Sequence, residues 1–241
     1  GFKEGDKVFG MKNPSEGLAT YAEQVIAPEK NIALMPKGIS YTEAAGIPLC
    51  SLTAWQALVH KGSLKKGMKV LIIGASGGVG SFAVQIATAL GGDVSAVCSQ
   101  PNESMVLGLG ARKVIDYHQQ DFLEGNDHYD IIFDTIGRHS LTICAQLLYP
   151  GGTYVSTVPS PNNLKAMVAT KFKSLFSRST RKTELVMVKS SGSDLTEVAK
   201  LIIDGRIRPV IDQIFPIQQT AQAHDYSRSL RAKGKIILEI Q

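Results

Sequence analysis

The sequence predicts an α/β chain: a doubly wound parallel sheet in the middle, with β-rich stretches at both ends. Two observations carry this. From Val70 to about residue 204, short apolar runs alternate with helical patterns. One of those runs feeds straight into a glycine turn and a helix, Lys-Val-Leu-Ile-Ile-Gly-Ala-Ser-Gly-Gly-Val-Gly over Lys69 to Gly80.

In chain order, Gly5-Asp6 makes a turn before a strand at Lys7-Val8-Phe9, and Tyr21 to Ile26 reads as another strand. Tyr41 to Leu58 reads as a helix, with Thr42 and Ser51 as candidate caps. Strands are then expected at 70–74, 93–97, 113–115, 130–133, 152–156 and 185–188. Helices are expected at 78–90, 102–109, 139–148 and 194–204. This alternation implies parallel strands with helices on both faces. After Pro209, Val210 to Phe215 reads as a strand, 218–230 as a helix and Lys235 to Ile240 as a closing strand. No internal repeat is evident. A doubly wound domain thus sits between β-rich ends that form one body; the alternative is that the ends extend the central sheet.

The glycine turn carries the chemistry. Val70, Leu71, Ile72 and Ile73 suit a strand covered on both faces. Val79, Phe82, Ala83, Ile86, Ala87 and Leu90 follow at helical spacing, and Gly91-Gly92 stops the helix. A helix N-terminus behind a glycine turn presents N–H groups and a positive dipole end to a pyrophosphate. The G-x-G-x-x-G pattern falls on Ala75, Gly77 and Gly80, with alanine in the first place. A packing turn could show the same glycines. The correct strand and helix, and the βαβ unit that follows, favour a dinucleotide site.

Cofactor choice rests on the end of the next strand, where an NAD site places an acid for the ribose 2′-hydroxyl. Cys98, Ser99, Gln100, Pro101 and Asn102 include none. Ser99 and Asn102 can donate to a 2′-phosphate, which leans toward NADPH. The same residues also serve ordinary turns and caps.

Composition excludes other classes. At 241 residues with 44% apolar and 20% charged content, the chain can bury a core. No run approaches the roughly 18 apolar residues of a membrane span, and no signal peptide opens it. Net charge is +5, much of it in Lys171, Lys173, Arg178, Arg181 and Lys182. This reads as a solvated surface segment, so neither nucleic acid nor membrane is an expected partner. Cys50, Cys98 and Cys144 form no C-x-x-C pair, and His60, His118, His128, His139 and His224 show no ligand spacing. No metal is expected. A reducing compartment follows, with the cytoplasm expected. The chain does not open with Met, so a targeting segment upstream of residue 1 is the alternative.

These residues resemble the medium-chain dehydrogenase/reductase superfamily, in its zinc-independent quinone oxidoreductase branch. The signatures are Phe2 to Val8, Gly17 to Glu23, Ala44 to Pro48 with Leu52-Thr53-Ala54, and Gly74 to Gly80. Leu109-Gly110-Ala111 with Val114 to Tyr117, Asp134 to Gly137, and Gly234 to Leu238 complete the set. The resemblance implies a partial GroES-like catalytic domain from residues 1–43 and 206–241, around a Rossmann domain at 44–205. It implies that Ser76, Gly77, Gly78, Val79 and Gly80 cradle the pyrophosphate. Ser99, Asn102 and Tyr117 would surround the 2′-phosphate, and Thr53 and Thr135 would approach the nicotinamide. Thr157 would lie at the carboxyl edge where such sheets bind ligands.

Two departures stand out. Zinc members carry a four-cysteine lobe, but no cysteine lies between Met11 and Tyr21. They also place a catalytic cysteine four residues before the matching threonine; here that residue is Leu49, and neighbouring Cys50 reads as a small buried hydrophobe. Second, the family's catalytic domain begins well before Gly5-Asp6, so the first half of its barrel is expected to be missing, exposing edges and apolar surface.

The resemblance implies an NADPH-dependent reductase passing hydride to a quinone or to the β-carbon of an α,β-unsaturated carbonyl, as a homodimer built by extending the Rossmann sheet. Without zinc, the developing enolate needs hydrogen-bond donors; Thr53 or a cofactor hydroxyl are the candidates, and no side chain reads as a general acid. An enoyl-thioester reductase, or a non-catalytic NADPH-binding or adaptor protein, are the alternatives.

Overall fold

In the computed structural model, residues 1–13, 20–174, 177 and 179–240 are described. The expected signature at Gly17 to Glu23 lies partly, and Arg178 wholly, outside them. The chain divides into two compact units, Thr53–Met187 and Gly1–Leu52 with Val188–Gln241.

The first unit is built on a six-stranded sheet. Its strands are β3 (Lys69–Ile73), β4 (Asp93–Cys98), β5 (Lys113–Asp116), β6 (Tyr129–Asp134), β7 (Leu148–Ser156) and β8 (Lys182–Leu185). All pairs are parallel, in the order β5-β4-β3-β6-β7-β8. The strand order reverses between β3 and β6, the switch point where such sheets bind ligands. Val70, Leu71, Ile72 and Ile73 are buried, as a strand covered on both faces requires. Helix α3 (Gly78–Ala89) buries Phe82, Ala83, Ile86 and Ala87. A single core cluster joins Leu71, Ile73, Val97, Ile132 and Tyr154 with Cys144 of the short helix α5 (Leu141–Cys144). Helix α4 (Glu103–Gly108) links β4 to β5.

Two expectations change here. The helix expected over 41–58 is two helices, α1 (Tyr41–Ala45) and α2 (Pro48–Trp55), with a π-helical turn at Gln56–Lys61. Pro48 causes the break: it disfavours helical backbone at Ile47 yet suits a first helical position. Nor are Thr42 and Ser51 caps. Ser40 caps α1, its Oγ accepting from Glu43 N–H at 3.1 Å while Glu43 Oε2 accepts from Ser40 N–H at 2.8 Å. Ser51 sits inside α2, its N–H donating to Ile47 O at 2.9 Å. The stretch expected to be a solvated basic segment keeps Lys171, Lys173 and Lys182 exposed, on regular elements. Helix α6 (Pro161–Ser174) carries Lys171 and Lys173 in its last turn, where cations suit the dipole. Arg181 Nε donates to Leu148 O at 2.9 Å, and Lys182 opens β8, three residues ahead of the expected strand.

The second unit holds two small sheets. β1 (Val8–Gly10) pairs antiparallel with β2 (Ile32–Leu34). β9 (Ile211–Pro216) pairs parallel with β10 (Lys235–Glu239), with α8 (Thr220–Arg228) as the crossover. Helix α7 (Gly192–Ile203) packs on β2. Tyr21 to Ile26 is not a strand: Tyr21 to Glu23 bend, and no described strand pairs with the segment.

Candidate functional site

The carboxyl ends of β3, β6 and β7 converge at the switch point. Gly74, just past β3, has φ +81°, and Gly74 N–H and Ala75 N–H both donate to Val97 O at 3.1 Å. A Cβ on Gly74 would meet Thr135 Oγ1 at 2.5 Å. The left-handed residue is therefore Gly74, which is why alanine is tolerated next at Ala75, itself fully buried. A Cβ on Gly80 would overlap the Gly74 carbonyl, so this glycine lets α3 press against the turn. Gly77 differs. It is the N-cap of α3, and a Cβ there would meet only Gly74 O at 3.6 Å.

The first intrahelical bond of α3 runs from Ser81 N–H to Gly77 O at 2.9 Å. The N-cap residue, Gly77, has no side chain with which to cap the helix. The N–H groups of Gly78, Val79 and Gly80 thus have no acceptor within the helix. Bare glycine backbone around an uncapped helix N-terminus fits a diphosphate.

Thr135 and Thr157 lie beside this turn. Thr135 Oγ1 donates to Ile73 O at 2.8 Å, and Thr157 Oγ1 donates to Thr135 O at 3.2 Å. Past β4, Asn102 Nδ2 donates to Ser99 Oγ at 3.0 Å, while Asn102 Oδ1 is buried with no partner. Tyr117, past β5, is exposed with its ring tilted against His118 at 4.3 Å between centroids. Ser76 to Gly80, Ser99, Asn102, Tyr117, Thr135 and Thr157 therefore all follow carboxyl ends of neighbouring strands. Thr53 belongs to another element, α2, where it is buried.

Linear reading found no acid over Cys98 to Asn102 at the end of β4, but Glu103 follows directly in the chain and the sheet brings Asp116. Register pairs Cys98 with Asp116, and the charges of Asp116 and Glu103 both act on Cys98. Burial first, then these carboxylates, push the Cys98 thiol up to about 11. Burial raises Cys50 as well and pushes Cys144 up to about 12, so all three are protonated packing residues. Among the described residues, no group of three or more His, Cys, Asp or Glu could hold a metal ion, and no helix is long and apolar enough to cross a membrane.

Sequence reading missed Asp134 as a centre of the site. This fully buried carboxylate ends β6. Oδ1 accepts from Ile136 N–H at 2.9 Å and Gly137 N–H at 2.8 Å. Oδ2 accepts from His139 N–H at 3.0 Å and Tyr154 OH at 3.0 Å, with His139 Nδ1 at 3.3 Å. Burial disfavours its charge, but the His139 ring, the two N–H groups and Tyr154 outweigh that and hold the carboxyl below its ordinary value. Burial and the Asp134 charge raise the Tyr154 phenol. The visible signal was an acid closing an apolar strand just before Thr-x-Gly.

A parallel sheet with its reversal at a glycine turn defines an α/β protein of the Rossmann type. Residues 109–238 match the zinc-binding dehydrogenase family. The chain is 34% identical to mouse "NAD(P)H oxidoreductase RTN4IP1, mitochondrial", covering 99% of this chain and 65% of that protein. It is 30% identical to the trans-enoyl reductase pgmF of Aspergillus terreus, covering 99% and 70% respectively. The quinone oxidoreductase of Coxiella burnetii superposes with a TM-score of 0.85 at 29% identity, covering 98% of this chain and 73% of that one. The chain belongs to the zinc-binding dehydrogenase family, in the quinone and enone oxidoreductase branch of the medium-chain dehydrogenase/reductase superfamily. It spans 65% of the mouse relative's length.

Proposed function

We propose that the chain is the cofactor-binding part of an NADPH-dependent, zinc-free oxidoreductase that reduces quinones or the C=C bond of α,β-unsaturated carbonyls. The N-terminus of α3 behind Gly74 and Gly77 carries the reading, because its N-cap is a glycine with no capping side chain and a Cβ there would meet only Gly74 O at 3.6 Å among the described residues. Gly77 to Gly80 would hold the pyrophosphate by backbone N–H groups. Thr135 and Thr157 would line the nicotinamide half, and Thr53 would help position nicotinamide and substrate. When bound, the reduced cofactor supplies the hydride. The chain's own part is to hold the two reactants in line, a large share of the rate in such a reaction. The three buried, protonated cysteines favour a site without thiolate ligands.

For the 2′-phosphate, Ser99 and Asn102 offer donors and Tyr117 an exposed hydroxyl, while Asp116 and Glu103 oppose it. We take the donors, which stand on the loop itself, as decisive for NADPH. A thioester-linked enoyl group is the second reading, favoured by the trans-enoyl reductase relative. A homodimer joined along β8 belongs to the same proposal.

The test is optical: NADPH and NADH oxidation with free enones, quinones and an enoyl thioester, with chelator present. Faster turnover with NADPH that survives chelation is expected. Tight NADPH binding without turnover on any of them would favour a binding module instead.

A further inference from the structure

The three turns at the switch point are locked to one another. A Cβ on Gly74 would press on Thr135 and Ile136, and a Cβ on Gly137 would overlap Val158. Thr135 Oγ1 also approaches Gly74 O at 3.4 Å, and Thr157 Oγ1 bonds Thr135 O. The middle turn, 135–139, is wound around one carboxylate that takes three of its N–H groups and a ring nitrogen. Tyr154, two residues before the end of β7, anchors that carboxylate from the neighbouring strand.

We propose that Asp134, held by Tyr154 and His139, is a positioning residue that sets the nicotinamide half of the groove through Thr135, while leaving the adenosine half alone. The inference rests on the dinucleotide reading above. The asymmetry follows from topology. β3, β4 and β5 form one mononucleotide half of such a sheet, and β6, β7 and β8 the other. Every bond to the Asp134 side chain comes from the turn after β6 or from β7. Loosening it shifts Thr135 and Thr157 but does not touch the Ser99–Asn102 pair past β4.

The experiment compares dissociation constants for NADPH and for 2′,5′-ADP, which fills only the adenosine half. Asp134→Asn and the milder Tyr154→Phe are each measured against wild type, with folding checked by circular dichroism. Asp134→Asn should weaken NADPH by about tenfold and Tyr154→Phe by a few-fold, the scale of losing hydrogen bonds to a buried charge. Binding of 2′,5′-ADP should stay within about twofold, an asymmetry that general loss of packing would not produce. Equal weakening of both probes, or no change in either for folded variants, overturns the proposal. Wild-type protein that binds neither probe overturns the dinucleotide reading and this inference with it.

Discussion

At the scale of single residues, the glycines of one turn do different work. Gly80 is fixed by packing, because any Cβ there meets the Gly74 carbonyl and Ala75 Cα. Gly77 has room for a Cβ on the surface where a phosphate would lie. The two alanine variants should therefore separate. Gly80→Ala should lower the melting temperature by several degrees or more, the effect of a steric clash in a packed interior. Gly77→Ala should melt near wild type but bind NADPH less tightly, and calorimetry with titration of cofactor tells the two apart. The motif was legible because its glycines are consecutive in the chain. Asp134 was not recognised as a hub because its partners, at 136, 137, 139 and 154, follow no period. Asp116 was invisible for the same reason, because only strand register carries it to Cys98, whereas Glu103 stands next to Asn102 in the chain.

At the scale of elements, the strands of the six-stranded sheet were legible because fully buried strands read as apolar runs. Helix α6 was not, because its pattern is inverted. Asn163 is buried with its amide unpartnered, while Leu164 and Val168 are exposed. A helix that buries an amide and shows aliphatics gives a weak amphipathic signal. The same helix modifies the free edge of the sheet. Thr170 Oγ1 accepts from Thr183 N–H at 3.2 Å, so one outward donor of β8 is already taken. Leu185 is the next residue on that edge by the two-residue period. Sheet extension into a homodimer must therefore begin there. Light scattering should give a mass near twice 25.9 kDa for wild type, falling to that of one chain in Leu185→Pro. A wild-type mass of one chain would remove the dimer from the proposal.

At the scale of the whole molecule, Asp134 ties global stability to pH. Its folded carboxyl sits below the ordinary 3.8, so it stabilises the fold fully at pH above that value. The contribution fades as pH falls through the lower, folded value. The difference in urea stability between wild type and Asp134→Asn should thus be largest near about pH 6 and shrink toward about pH 2. A difference that grows on acidification would mean that the charge is not what holds the turn.

The connectivity also orders events in time. β3 cannot gain its neighbour β6 until the chain has run on from Val70 to Ile131, its register partner. The unit that includes β1 and β2 remains open until the stretch from Val188 has emerged. During synthesis, the six-stranded sheet can therefore close while Ala33 and the rest of β2 still wait for α7. That interval, more than the finished fold, exposes the apolar side of β2 to other chains.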